Sequence, residues 1–507
     1  MSRRWPAACA AAVALALLTA CGSTVQVHGS STIGGDQSGL GTTSDATTAA
    51  GSQDGASAPV QGGGSAASGG SSSTAQGSTT VQQGPAAPSA LATNAPSVNT
   101  APSKATLGSV HIGFTIVPDA DAASKSFGAT SNTGDQHAEV MAAVNWVNAH
   151  GGLNGHPIKP FIEEVSSTSS QSYDAQYQAL CTKYTQDDKV IAATIIPIIT
   201  DTVLDRCMSK AKTLLVTGSG WLHEPSDFRA APYIVSPSEP TLSEVARALT
   251  RMVLDKKIVT KGMRLGLMSY DVPQYNQAID TYLKPLLAQN GVALTQYSIP
   301  RPTSYADIGN SITSAESATL KMKAQGIKTV MFICPGCAAV FAIYAKSQNY
   351  YPRYVLSSLD PMVLATDKSV FGTAVGIGWA PITDQDTYAH PKAFANNPTY
   401  NLCLSIEKKT QQVTSSTSLQ AAVSVCEGVM DLYVGAKANP AATITAESLR
   451  AGILGLGTSH PSALNFATSL SPSLPAGNAG YRYVQYQDSA GTVAYTQEPM
   501  RMFEHLS

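Results

Sequence analysis

Val144-Asn145-Trp146-Val147-Asn148-Ala149-His150-Gly151-Gly152-Leu153-Asn154-Gly155-His156-Pro157-Ile158 holds the end of one element, a reversal, and the approach to the next. Val140, Ala143, Val144 and Val147 recur at helical spacing, and the pattern stops at Gly151-Gly152, a helix C-cap signal. A strand is predicted just beyond, near Pro160 to Val165. Another is predicted upstream, where Val110-His111-Ile112-Gly113-Phe114-Thr115-Ile116-Val117 is a β-rich run closed by Pro118 and followed by a polar loop. Strand, helix and strand in that order make a βαβ unit, whose strands pair in parallel.

The alternation continues outward. A helix is expected around Tyr173 to Tyr184, a strand at Val190 to Ile196, a short helix around Thr202 to Lys210 and a strand at Thr213 to Thr217. A second series starts after Tyr233-Ile234-Val235-Ser236-Pro237. There Thr241 and Glu244 have capping-box spacing ahead of Val245, Leu249 and Met252. Strands fit Arg264 to Tyr270, Val292 to Ile299, Thr329 to Cys334 and Tyr354 to Ser357, with helices between. Two long helical patterns, about Pro391 to Lys409 and Ser418 to Ala438, precede a short one at Ala446 to Leu454. The chain closes on Tyr481 to Gln487 and Thr492 to Thr496, an expected antiparallel pair. The fold class is α/β, with mainly parallel sheets flanked by helices and a chain that crosses between lobes more than once.

Ahead of this folded part the composition changes. Arg3 and Arg4, an apolar run from Ala7 to Leu18 and then Leu18-Thr19-Ala20-Cys21-Gly22 form an export signal, too short to span a membrane stably. Leu18 to Cys21 reads as a lipobox, so cleavage of residues 1–20 and lipidation of Cys21 are expected. That would place the protein on the extracytoplasmic face of the cell membrane. From Gly22 to about Thr106 the chain is mostly Gly, Ser, Ala, Thr, Gln and Pro, which cannot bury enough apolar surface to offset its ordering entropy. As a flexible coil this linker would span about 50 Å end to end.

With 32 Lys and Arg against 34 Asp and Glu the net charge is −2, and no basic block appears. That argues against nucleic acid as a partner. Apart from Cys9 in the leader and Cys21, the cysteines are Cys181, Cys207, Cys334, Cys337, Cys403 and Cys426. An even number in an oxidising compartment suggests disulfides, and closeness in sequence favours 181 with 207, 334 with 337, and 403 with 426.

The segment from Val144 to Ile158 is similar to the "A-x-x-x-I-N-x-x-G-G-I-x-G-R-x-I" helix, turn and strand of the type I periplasmic binding proteins, specifically the branched-chain amino-acid type of solute-binding proteins from ABC importers. Val190-Ile191-Ala192, Leu214-Leu215-Val216 leading into Thr217-Gly218-Ser219-Gly220, and Tyr233-Ile234-Val235-Ser236-Pro237 also resemble that family in order and spacing. The resemblance covers nearly all of Leu107 to Ser507. It implies two α/β lobes, 107–237 with 384–478 and 238–383 with 479–507, joined by crossings near Pro237, near Trp379 to Thr383, and near Ala476 to Tyr481. One small-molecule ligand, an amino acid or another small polar or amphipathic solute, would sit in the cleft, and a membrane permease would receive it. No cofactor and no metal are implied.

The same resemblance nominates ligand contacts. In the family the loop after the Val190 strand supplies a hydroxyl; here Pro197-Ile198-Ile199-Thr200 leaves Thr200 as the nearest substitute, and the isoleucines either wall the cleft or pack in the lobe. Ser219, between two glycines, allows close backbone approach, and Trp221 could stack on a ligand or belong to the core. Tyr275 matches a loop aromatic. Asp360 matches an acid that faces a ligand ammonium, although an Asp before Pro361 is also a routine turn or cap residue. Pro335, in Cys334-Pro335-Gly336-Cys337, falls where the family has ligand-facing loop residues; a structural disulfide and thiol chemistry are both open to this C-x-x-C.

No hydrolase, phosphate-loop or dinucleotide motif is present, the glycines of Gly452-Ile453-Leu454-Gly455-Leu456-Gly457 being in the wrong context. The nine histidines are scattered, none at metal-ligand spacing with a partner. An importer subunit, a ligand sensor of the same fold and an envelope hydrolase are the readings to separate.

Overall fold

The computed structural model describes residues 107–126, 129, 131–195, 202–218, 220, 222–360, 369–385, 396–486, 493–496 and 498–504. The leader, Cys21 and the linker lie outside them, as do Thr200, Ser219 and Trp221.

The chain first builds β1 (Val110–Ile116), α1 (Ala120–Ser126), α2 (Gln136–Ala149), β2 (Ile158–Glu164), α3 (Tyr173–Thr182), β3 (Ala192–Ile195), α4 (Thr202–Lys210), β4 (Leu214–Thr217), α5 (Pro225–Ala230) and β5 (Ile234–Val235). These strands form one parallel sheet in the order β2-β1-β3-β4-β5. The chain then builds α6 (Leu242–Asp255), β6 (Arg264–Tyr270), α7 (Pro273–Ala278), α8 (Lys284–Gln289), β7 (Ala293–Ile299), α9 (Ile308–Ala324), β8 (Thr329–Ile333), α10 (Cys337–Ser347), β9 (Arg353–Ser357), β10 (Val375–Gly378) and α11 (Pro381–Asp384). It returns to the first lobe for α12 (Pro398–Glu407), α13 (Ser416–Ala438) and α14 (Ala446–Gly455), and ends in the second with β11 (Gly480–Tyr486), β12 (Val493–Tyr495) and β13 (Arg501–Met502). The second sheet runs β12-β11-β10-β9-β8-β6-β7, with β13 on β11; β11 to β13 pair antiparallel and the rest parallel.

Alternation along the strands sorts the first lobe's core into two layers. Ala192 and Leu214 face α2 and α12–α14, while their neighbours Ala193 and Leu215 face α3 and α4. The second lobe has one large core around β6, β8 and β9, in which Phe332, Phe341, Tyr354 and Phe371 pack ring against ring.

The opening motif works through two residues. Asn148 Nδ2 donates to Ile158 O at 2.9 Å and its Oδ1 accepts from Ile158 N at 2.7 Å, clasping the end of α2 to the start of β2. Gly152 has φ +61°, and a Cβ there would lie 2.2 Å from His156 O, so only glycine fits the reversal. Thr241 and Glu244 form the capping box that their spacing predicts.

Several elements differ from expectation: β3 starts two residues later than read, and β10 and β13 have no counterpart in the sequence reading. The polar loop after β1 contains α1. The helix expected from Tyr173 to Tyr184 ends as α at Thr182 and continues as a π turn over Lys183–Asp187. Of the helix expected from Pro391 to Lys409, α12 occupies Pro398–Glu407 and residues 391–395 lie outside the described ones. The disulfides are Cys181–Cys207, Cys334–Cys337 and Cys403–Cys426, tying α3 to α4, closing the loop into α10, and tying α12 to α13.

Candidate functional site

The carboxyl edges of the two sheets face each other. Tyr173, beyond β2, donates its N–H to Thr303 O, beyond β7, at 2.8 Å, and the hydroxyls of Ser126 and Tyr305 pair at 3.3 Å. The carboxyl edge is where open α/β sheets take ligands. Here two such edges share one seam.

The chain passes between the sheets after β5, after β10 and ahead of β11, and Glu239, on the first passage, bonds to the other two through its carboxylate and its backbone carbonyl. Glu239 Oε1 accepts from Gly220 N and its Oε2 from Trp379 Nε1, both at 2.8 Å, while its backbone O accepts from Asn478 N at 3.2 Å. Asn478 Nδ2 donates to Ser238 O at 3.0 Å, and Ser236 pairs in parallel with Ala476. Glu239 and Trp379 are buried.

On the first lobe's edge, a cavity of about 20 Å³ is lined by Thr115, Thr194, Thr217, Gly218, Ser238 and, from α13, Glu427 and Asp431 among others. Its strand side mixes these hydroxyls with Phe114, Ile195 and Val216, and its helix side sets the two carboxylates beside Ser424 and Val425. Glu427 and Asp431 meet His460, whose Nε2 lies 2.7 Å from Asp431 Oδ1. Burial and the neighbouring Glu427 push the Asp431 carboxyl above its usual range; burial opposes the charge on His460, but hydrogen bonds and attraction to the two carboxylates outweigh it and raise its pKa.

On the second lobe's edge, Pro335 and Asp360 meet at the start of α10, and Tyr275, in α7, adjoins them through Tyr270. Tyr275 packs edge-on against Tyr270 with centroids 5.8 Å apart, and Tyr270 donates its hydroxyl to Pro335 O at 3.1 Å. Asp360 Oδ1 accepts from Ala338 N at 3.2 Å, so the carboxyl caps the first turn of α10. Its Oδ2 is buried without a hydrogen bond, and desolvation pushes its pKa up to about 8. A carboxyl in that state is mostly neutral at pH 7, which makes it a cap more than a standing counter-ion. The Cys334–Cys337 bridge fixes the same loop.

Sequence reasoning did not single out Glu239, Glu427, Asp431 or His460. A faint signal was present for two of them, since Glu427 and Asp431 stand four apart within an otherwise apolar helical pattern.

This architecture is the type I periplasmic binding protein fold. Among solved structures, the chain is similar to the solute-binding protein of an ABC transporter from Rhodopseudomonas palustris in complex with 4-hydroxybenzoate, at 12% identity and TM-score 0.55, covering 78% of this chain and 97% of that one. It is similar to a branched-chain amino acid ABC transporter protein from Thermus thermophilus with bound valine, at 15% identity and TM-score 0.53, covering 78% and 97%. A fatty acid ABC transporter substrate-binding protein from Thermomonospora curvata matches at 14% identity and TM-score 0.51, over 78% and 93%. No family model and no curated protein matches the sequence.

Proposed function

We propose that this chain is an extracytoplasmic solute-binding lipoprotein that captures a small molecule between its lobes and delivers it to the permease of an ABC-type importer. The observation that supports this most is the facing of the two carboxyl edges across a seam spanned by three crossings and gathered at Glu239. A ligand held there touches both lobes at once, and contacts available only in the closed form are what drive closure. The neighbours' named ligands, a hydroxybenzoate, valine and fatty acids, are all carboxylic acids. A small organic acid or amino acid is the class to test first.

Lipidation of Cys21 would tether the molecule outside the cytoplasmic membrane, with residues 22–106 as the leash. No helix among the described residues is long and apolar enough to cross a membrane. Native mass spectrometry of the purified chain, followed by thermal shifts against hydroxybenzoates, aliphatic amino acids and fatty acids, should identify a ligand, and X-ray scattering should show compaction on its addition. An absence of any shift across the panel, with no co-purifying molecule, would remove this reading. Labelled palmitate should enter the wild type and not Cys21→Ser.

A further inference from the structure

We propose that Glu427, Asp431 and His460 form a binding site for one divalent transition-metal ion of the zinc class, inside the first lobe and beside the hinge. Glu427 and Asp431 leave the same face of α13, being four residues apart, and His460 reaches them from the segment after α14. Their side chains are only 2–3% exposed. His460 Nε2 lies 2.7 Å from Asp431 Oδ1 and 3.4 Å from Glu427 Oε1, and one ligand atom from each residue lies within 4.8 Å of the other two.

His460 Nε2, Asp431 Oδ1 and Glu427 Oε1 converge in a buried ion cluster, and one imidazole N–H cannot point at both carboxylate oxygens, so the three atoms share at most one well-directed hydrogen bond. The other Glu427 oxygen is held separately, accepting from Ala463 N at 2.9 Å. Three strong polar atoms with one proton among them are costly to bury, and a cation among them satisfies all three.

Charge and size agree. A neutral imidazole, two carboxylates and a dication sum to zero charge out of water. The adjoining cavity, about 20 Å³, has room for a water or an ion. Zinc bonds of about 2.0–2.2 Å set tetrahedral ligand atoms about 3.4 Å apart. His460 and Glu427 already have that spacing, Asp431 would withdraw from His460 by less than about 1 Å, and Glu427 and Asp431 lie within 4.8 Å of each other. One imidazole with two carboxylates suits zinc or manganese better than calcium, which prefers an all-oxygen shell; a water in the cavity would complete the coordination. The site would brace α13 against the 460–465 segment, whose Asn465 Nδ2 donates to Pro237 O at 3.4 Å on the first crossing.

The test uses the full chain, prepared without a histidine tag and stripped with a chelator, then titrated with Zn²⁺ by calorimetry and with Co²⁺ by visible absorption. One equivalent should bind, the melting temperature should rise with that equivalent, and cobalt should show the intense bands of a low-coordinate site. His460→Gln and Glu427→Gln should each weaken binding by about a hundredfold or more, while His137→Ala, at an exposed position on α2, should leave it unchanged. Equal stoichiometry and affinity in the wild type and both site variants would overturn the proposal. So would a folded wild type that takes up no tightly bound equivalent. If His460→Gln fails to fold, the wild-type cobalt spectrum decides alone, because a spectrum like that of aqueous cobalt excludes the site.

Discussion

Glu239 carries more than its own packing, because one carboxylate oxygen holds the first-lobe loop at Gly220 and the other holds Trp379 on the second crossing. Glu239→Ala should strand Gly220 N and Trp379 Nε1, each costing about 1–3 kcal/mol when buried without an acceptor. Glu239→Gln keeps one acceptor oxygen and turns an amide toward the other donor, so its loss should fall between. Urea denaturation of the three proteins gives the order directly, and a stability of Glu239→Ala equal to wild type would disprove the hub. Asp360 should behave in the opposite way. Its carboxyl is driven toward the neutral form and caps α10 through Oδ1, so Asp360→Asn should change stability at pH 7 by less than about 1 kcal/mol, and Asp360→Ala should lose about 1 kcal/mol as a cap does. Thermal melts of both variants check this. If Asn weakens ligand binding while sparing stability, Asp360 ionises against the ligand after all.

Elements were legible where the sequence carries local physics. The Gly151-Gly152 stop and the capping box at Thr241 and Glu244 act within a few residues, so spacing alone exposes them, whereas the Asn148 clasp emerges only from the structure. Within the candidate site, Pro335 and Asp360 adjoin the start of α10, and Tyr275, in α7, neighbours that loop through Tyr270. His460 could not be read this way. It meets Glu427 and Asp431 only because α14 folds back along α13, and no periodicity links residues that far apart. That fold-back also explains a glycine that sequence reasoning could only dismiss. A Cβ on Gly452 would lie 1.9 Å from Gly435 O, whereas one on Gly455 would meet nothing within 4 Å. Gly452→Ala should therefore cost more than about 2 kcal/mol, as overpacking against backbone does, while Gly455→Ala should be neutral or slightly stabilising. Denaturation midpoints of the pair separate packing from helix propensity. The disulfides belong to the same scale: removing the Cys403–Cys426 bridge by paired serines should cost about 2–4 kcal/mol, and peptide mapping of oxidised protein should find neither thiol free.

At the scale of the molecule, buried carboxyls set a pH response. Glu139 and Glu407 are fully buried with no oxygen hydrogen-bonded, and burial first, then the charge of Asp135 on Glu139 and of Glu139 on Glu407, pushes them up from 4.5 to about 8 and about 9. Folded pKa values above the unfolded ones mean that the folded state keeps protons the unfolded chain has released. Their stabilisation is complete below about pH 4.5 and is lost as pH climbs toward 8 or 9, by at most about 1.4 kcal/mol per pH unit per group. Asp119 works the other way: although burial would raise it, hydrogen bonds from Ser166, Ser167 and Thr168 hold it well below its usual range, so its contribution fades in stronger acid. The protein should melt higher at pH 5 than at pH 8, and Glu139→Gln with Glu407→Gln should flatten that slope. The threefold passage of the chain has a further consequence, for biosynthesis. The first lobe's sheet is complete at Val235, yet α12 to α14, which cover one of its faces, begin only at Pro398. Roughly 160 residues must therefore be made while α2 alone covers that face, a delay of about 10–30 s at ordinary elongation rates. A nascent chain stalled anywhere in that interval presents a half-covered apolar sheet to its neighbours, so this protein should lean on holdase chaperones during synthesis far more than a molecule whose lobes are sewn up one after the other.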